Sequence, residues 1–373
     1  MSDQSVEWSD LPEELVDEVA SRLFSKVELL RSRSLCKTWR SAFSIHKRYP
    51  KRHNRNPGRV LSRYSSYTKP CRLSPAAFFR VFLSSCQNKG WLIKTQDVSD
   101  SETRKKLLHP LSRVPVDGSS HQTLDLLKYT VSEIHQSYNV YRYYDFSNKL
   151  TSNVFARVVL VDNLVFGVND KKEIWWCNNE EGNKNDKNNV WTRVSDKDAE
   201  YFSDIIVHKG QVYALDVNGA IWWISLSELK IFQYGPSTPI DYYEYDDCKD
   251  KRLVEYCGEL CIIHRFRKKF RVRRVDVERT TGFKVYKMDM DLVEWVEVKC
   301  LGDNAFVMAT DSCFSVLARD YYGCLENAIY FTEGKVVKNV NYVFKLGDGS
   351  VKKKKLAESS SESCFHMFYP PFL

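Results

Sequence analysis

The 373-residue sequence contains no long apolar run. Its most apolar stretch, residues 154–168, is broken by Arg157 and Asp162, well short of the ~20 residues that a membrane-spanning helix requires. The first ten residues, MSDQSVEWSD, are polar and acidic, so they do not read as a signal peptide. Paired cysteines are missing too: eleven Cys is an odd number, and without a secretory signal reduced thiols are the default. Nucleus or cytoplasm is therefore the expected location, with no secretion and no membrane partner.

The signatures of common chemistries are equally scarce. No Gly-rich phosphate loop or dinucleotide fingerprint follows a strand-like run, and no Gly-x-Ser-x-Gly nucleophile elbow occurs. Carboxylate pairs such as Asp246-Asp247 and Glu180-Glu181 sit in polar segments, and nothing singles out two of them for glycoside cleavage. The expectation is a non-catalytic chain without cofactor.

What is present begins with length. At 373 residues the chain exceeds the ~250–300 at which single cores stop growing, so two domains are expected. Hydrophobic residues at 43% and charged residues at 28% describe a globular protein, and the twenty-one Tyr and nine Trp suit strands better than helices. The formal charge of +8 is unevenly placed: fourteen Lys or Arg and no Asp or Glu lie between Arg31 and Arg80. The rest of the chain is net acidic, so the overall basic balance describes one segment.

Ahead of that segment, Leu11-Pro12 opens a helical run in which Leu15, Val16, Val19, Ala20 and Leu23 make one apolar stripe. Pro12 suits the first helical position, and Glu13 and Glu14 suit the positive end of the helix dipole. Ser25-Lys26-Val27-Glu28 is a capping box for a second helix, and Leu35, Trp39 and Phe43 stripe a third. Three helices in under forty residues cannot bury this surface alone, and domains so short need a metal, disulfides or a partner. One Cys and no ligand set leave a partner.

Leu11-Pro12-x-x-Leu15, Leu23 and Arg33-Ser34-Leu35-Cys36-Lys37-x-Trp39-Arg40 resemble an F-box. The resemblance implies a three-helix module, here residues 5–47, that docks on the Skp adaptor of a cullin-RING ubiquitin ligase. The adaptor contacts carried over are Leu11, Pro12, Leu15, Val16, Val19, Leu23, Leu35 and Trp39, of which Val19 and Trp39 could instead be internal core. Residues 48–72 read as a basic linker rich in Pro, Gly and Asn. Such a run serves either as an import signal or as a solvated face, and the solvated reading is the commoner.

From about residue 73 short β-rich runs separated by turns take over. Gly90–Ile93 and Lys106–Leu108 read as strands flanking a polar stretch from Lys94 to Lys105. Leu160–Asn169 lines up with Val207–Asp216, and the same 47-residue offset places Ile174-Trp175-Trp176 on Ile221-Trp222-Trp223. Gly258–Ile263 matches Gly210–Leu215 with one residue inserted. A period of 40–50 residues with several strands per unit is a β-propeller signature, because each small sheet buries its faces only against its neighbours.

Gly90-Trp91-Leu92-Ile93, Leu107–Ser112, Lys209–Asp216, Leu301–Phe306, Asn327–Thr332 and the Tyr369-Pro370-Pro371-Phe372 ending resemble the KIB-type, kelch-related propeller that follows many plant F-boxes. The expected fold is thus mainly β, a small helical F-box followed over residues 73–373 by about six or seven blades. Its implied function is recruitment of a protein substrate to the ligase. A ligase-independent scaffold binding an acidic partner is the alternative, and a propeller hydrolase is a distant third.

Two further motifs need weighing. Cys257-x-x-x-Cys261-x-x-His264, with Cys248 nearby, has the residue types of a zinc site, but structural zinc wants four ligands in two close pairs. Cys261 falls at the repeat position of Tyr213, so structural thiols and no metal are expected. The run from Arg265 to Arg274 would, as a strand, place Phe266, Phe270 and Val272 on one face. Arg265, Arg267, Lys269, Arg271 and Arg273 would lie on the other, a basic stripe for an acidic protein, phosphopeptide or nucleic acid, or an exposed strand with solubilising charge, which is the commoner case. Nucleic acid is not the expected partner.

Overall fold

In this computed structural model the described residues are 11–12, 14–16, 19, 32 and 36–42 in the N-terminal region. From residue 59 onward they are all but 64–69, 86–88, 98–104, 117–123, 126–127, 144–149, 179–190, 195–200, 239–247, 273–274, 290, 292, 334–339, 356–362 and 373.

Two-residue hairpins generate the repeat seen in the sequence. Phe155–Val161 pairs with Leu164–Asn169, Phe202–His208 with Gln211–Asp216, and Cys248–Tyr256 with Glu259–Val272, all antiparallel. Lys209-Gly210 and Cys257-Gly258 both adopt positive φ, the left-handed pair that matches the twist of flanking strands and that Gly at the second position favours. At the far end of the second strand a shared device recurs. Asn169 accepts the Glu173 N–H at 2.9 Å, and Asp216 accepts the Ala220 N–H at 2.9 Å. A carboxylate then receives the indole N–H of the next strand, Glu173 from Trp175 and Asp216 from Trp222.

Five sheets result among the described residues, arranged as a five-bladed propeller. The second, third and fourth are four-stranded meanders spanning 155–193, 202–233 and 248–297. The first and last depart from the repeat. Sheet one has six strands between Arg59 and Asn153, built around the 14-residue strand Pro70–Leu83 and the 15-residue strand Tyr129–Tyr143. Sheet five has five strands from Asn304 to Lys355 and contains a parallel pair, Asn304–Met308 with Ala328–Phe331. Six or seven blades were expected; five form among the described residues, the first and last of which use longer strands or a parallel pair.

The ring closes between sheets one and five. Gly90 bridges Tyr321, Tyr322 donates to the Gly90 carbonyl at 3.0 Å, and Thr310 donates to that of Leu111 at 3.0 Å. A Cβ on Gly90 would sit 2.7 Å from the Val81 carbonyl oxygen of the adjacent strand in sheet one, so glycine there permits the close approach of those two strands. Phe78, Leu92 and Leu111 of sheet one share a core with Val307, Phe314 and Tyr330 of sheet five. The 3-10 helix Ser363–Phe368 completes it, with Cys364, Phe365, Met367 and Phe368 all buried. The C-terminal segment thus seals the ring as a plug rather than as a strand.

Candidate functional site

The N-terminal module is organised by Val16 and Trp39, which are 0% and 5% exposed and pack with Leu11, Val19 and Cys36. Pro12 accepts the N–H groups of Leu15 and Val16, both at 3.1 Å, so it opens the first turn. Cys36 caps the helix Lys37–Ala42: its carbonyl accepts from Arg40 at 3.0 Å and its sulfur from the Trp39 N–H at 3.5 Å. Leu15, next to the buried Val16, is 52% exposed, and Pro12 is exposed beside it. The stripe read from the sequence therefore divides. Val16 and Trp39 form the inner contact, Leu11 and Val19 are half-buried, and Pro12 and Leu15 face outward. Leu23 and Leu35 lie outside the described residues.

The propeller axis holds a cavity of about 130 Å³ lined by residues from all five sheets, among them Ser137, Arg157, Asp204, Leu253 and Asp311. Two buried carboxylates face it. Asp311 accepts from Lys94 at 2.7 and 2.9 Å, from Arg113 at 2.6 Å and from Ser137 at 2.8 Å. Burial alone would raise its pKa, but Lys94 and Arg113 hold the carboxyl far below the usual range. Asp204 pairs with Arg157 at 3.0 Å and accepts the Leu253 N–H at 2.8 Å; here burial dominates and pushes it up to about 6. Arg157 also donates to the Thr310 carbonyl. Lys94, read from sequence as the start of a polar connection, is instead completely buried within the strand Gly90–Asp97. These ions tie the blades together across the axis, with Lys94 and Asp311 217 residues apart.

Arg265 to Arg271 of the basic run lie on the strand Glu259–Val272, and its members have different surroundings. Arg265 is 5% exposed. It donates to Glu333 at 3.0 Å, to the Thr332 carbonyl at 2.9 Å and to Thr280 at 2.8 Å, and stacks over Phe331 at 4.9 Å. Arg267 pairs with Glu278 and Glu333, each at 3.4 Å. Arg265 thus fastens sheet four to sheet five instead of facing solvent. Lys269 and Arg271 are exposed, and Arg273 lies outside the described residues.

The cysteine cluster disperses. Cys257 is exposed at the turn, whereas Cys261 is buried in the apolar layer, where burial pushes its thiol up to about 12. His264 lies within hydrogen-bonding distance of Thr238 Oγ1, 3.2 Å away, and burial, with Lys251 and Lys284 nearby, pushes its pKa down to about 3. The Cys248 side chain lies outside the described residues. Among the described residues no three His, Cys, Asp or Glu gather as metal ligands, and no helix is long and apolar enough to cross a membrane.

Two family models match the chain. The F-box domain matches residues 8–51, and the KIB1-4 beta-propeller matches residues 63–356. Among curated relatives, F-box protein At4g35733 of Arabidopsis thaliana is 60% identical over 100% of both chains. Putative F-box protein At3g25750 of the same plant is 48% identical over 99% of each. F-box protein At2g26160, also of Arabidopsis thaliana, is 47% identical over 88% of this chain and 96% of its own. With an N-terminal nucleus of Val16 and Trp39 ahead of a ring sealed by its own C-terminal segment, the chain belongs to the family of F-box proteins that carry a KIB1-4 beta-propeller.

Proposed function

We propose that this chain is the substrate receptor of a Skp-cullin-F-box ubiquitin ligase. The observation that carries the reading is Leu15: a large apolar side chain more than half exposed, in the segment that matches the F-box model. Leaving about half of such a side chain in water forgoes roughly half of the about 1.5–3 kcal/mol that full burial supplies, which contact with a Skp-type adaptor would recover. Pro12 and Leu15 are the outer contacts and Leu11 and Val19 their flanks, whereas Val16 and Trp39 act by holding the module's shape.

The propeller recruits a protein target, and the adaptor links the chain to a cullin-RING scaffold. The chain itself performs no covalent step. It raises the effective concentration of a target lysine near a ubiquitin-charged enzyme held elsewhere in the assembly. Such a receptor works in the nucleus or the cytoplasm. Affinity purification of the full chain, and of a chain lacking residues 8–51, tests the proposal. Recovery of adaptor and cullin with the full chain alone is the expected result. Equal recovery by the truncated chain refutes it.

A further inference from the structure

The face of sheet three that packs on sheet four through Leu215 and Ile221 ends outward in a shelf of aromatic rings. Ile206, Tyr213, Trp223 and Phe232 are direct partners on its four successive strands, and direct partners share a face. Exposure rises along this row: the first three are half-buried, and Phe232 is 39% exposed. The Trp223 and Phe232 rings stack with centroids 4.8 Å apart. Tyr234, 43% exposed, meets Tyr213 edge-on at 5.3 Å. Sheet two has no such shelf, because Trp176, at the repeat position of Trp223, has Thr192 as its partner on the outer strand.

Sheet four supplies the opposite wall and the charge. Glu255 stands opposite Leu260, and Met288 opposite Trp295; Leu260 and Trp295 are buried and Met288 is half-buried. Beyond Tyr234 the cleft is closed. A Cβ on Gly235 would sit 2.7 Å from Met288 Cε, and the Trp295 indole donates to the Pro236 carbonyl at 2.7 Å. At the other end His208 Nδ1 lies 2.9 Å from Glu255 Oε2. The His208 side chain is buried there, whereas that of Glu255 is 53% exposed. Glu297 shares the face of Tyr286 and is exposed, and its strand, Glu294–Glu297, carries two carboxylates and no cation. Lys230, two residues before Phe232, is paired with Glu228 at 3.2 Å.

We propose that this cleft is a docking site for a basic protein segment, with an Arg or Lys side chain lying over the Trp223 and Phe232 rings toward Glu255. The proposal rests on the receptor reading above and gives the recruited target a chemistry. The negative faces of stacked rings attract a cation, and the apolar stem of Arg or Lys suits a row that is half-buried along its length. An acidic segment would meet Glu255 and Glu297, like charges that oppose docking. A purely apolar segment would cover the Glu255 carboxylate and strip its water without replacing it.

Anisotropy of fluorescein-labelled peptides with the full-length chain tests the site, using an Arg-Gly repeat and, at the same length, a citrulline-Gly and a Glu-Gly repeat. The Arg-Gly peptide should bind best, and more weakly as salt rises. Phe232→Ala should weaken it roughly fivefold, and Phe232→Leu, which keeps apolar area but removes the ring, about as much. Glu255→Gln, whose amide can keep the His208 contact, should also weaken it roughly fivefold and flatten the salt dependence. Phe270→Ala removes an aromatic side chain that is equally exposed, at 43%, on the strand Glu259–Val272; it should change binding less than about twofold. Circular dichroism on each variant separates lost binding from lost fold.

A wild-type chain that binds no Arg-Gly peptide overturns the proposal, as does equal binding of the citrulline peptide. Full affinity in Phe232→Leu or in Glu255→Gln overturns it as well, and so does a loss in Phe270→Ala that matches Phe232→Ala. The assay contains no ligase. A chain that fails to bind the adaptor but shows the expected variant pattern supports the docking site while refuting the receptor reading.

Discussion

Replacing Asp311 by Asn would remove one negative charge at the point where sheets one and five meet. Lys94, whose side chain is 0% exposed, and Arg113, at 10%, would then be buried beside a neutral amide. Breaking a buried pair by removing one partner costs about 3–5 kcal/mol, because the remaining charge is left uncompensated. The Asn side-chain oxygen can still accept from one of the three donors that the carboxylate served, so the lower half of that range is expected. Against a typical domain stability of about 5–15 kcal/mol this is a large fraction. It corresponds to a fall in Tm on the order of 10 °C. Differential scanning calorimetry and tryptophan fluorescence on the full chain would read it. A variant with Asp311→Leu, Lys94→Met and Arg113→Met removes the charges together and should recover much of the loss. An Asp311→Asn protein within about 1 kcal/mol of wild type would refute the view that this ion cluster closes the ring.

Asp204 gives a prediction of opposite sign. Its folded pKa, about 6, lies above the ordinary carboxylate value, so its contribution is fully present below the unfolded pKa and is lost as pH rises through 6. Wild type should lose stability relative to Asp204→Asn between pH 4 and pH 7, measured by urea unfolding, and a pH-independent difference would contradict the assignment. Phe365→Ala, at a completely buried position in the C-terminal plug, should cost about 3–5 kcal/mol and lower the urea midpoint; an unchanged midpoint would show that the plug does not seal the ring. Val16→Ala should lower the helicity of the N-terminal module whereas Leu15→Ala should not, as circular dichroism of the full chain would show; equal effects would mean that the inward and outward sides have been misassigned.

The repeat was readable because it reflects backbone geometry. Lys209-Gly210 and Cys257-Gly258 mark hairpins at the same place in successive sheets, and turn chemistry is local. Blade number was not readable, since sheets one and five abandon the period for long strands and a parallel pair. The axial ions were hidden for a related reason: Arg113 and Asp311 are 198 residues apart, and nothing local marks either as buried. The basic run lies in part on an extended strand, but the carboxylates that pair with its buried members, Glu278 across the ladder and Glu333, stand far from them in the sequence. Only the register reveals those partners. In the N-terminal module periodicity found the stripe, and only packing separated Val16 from Leu15.

The central claim is that the outward side of the N-terminal module binds a Skp-type adaptor, and calorimetric titration of the full chain with purified adaptor tests it most directly. The wild-type chain should bind, and Leu15→Ala should bind at least roughly tenfold more weakly with an unchanged circular dichroism spectrum. Wild-type binding that Leu15→Ala leaves intact, or no wild-type binding at all, would contradict it.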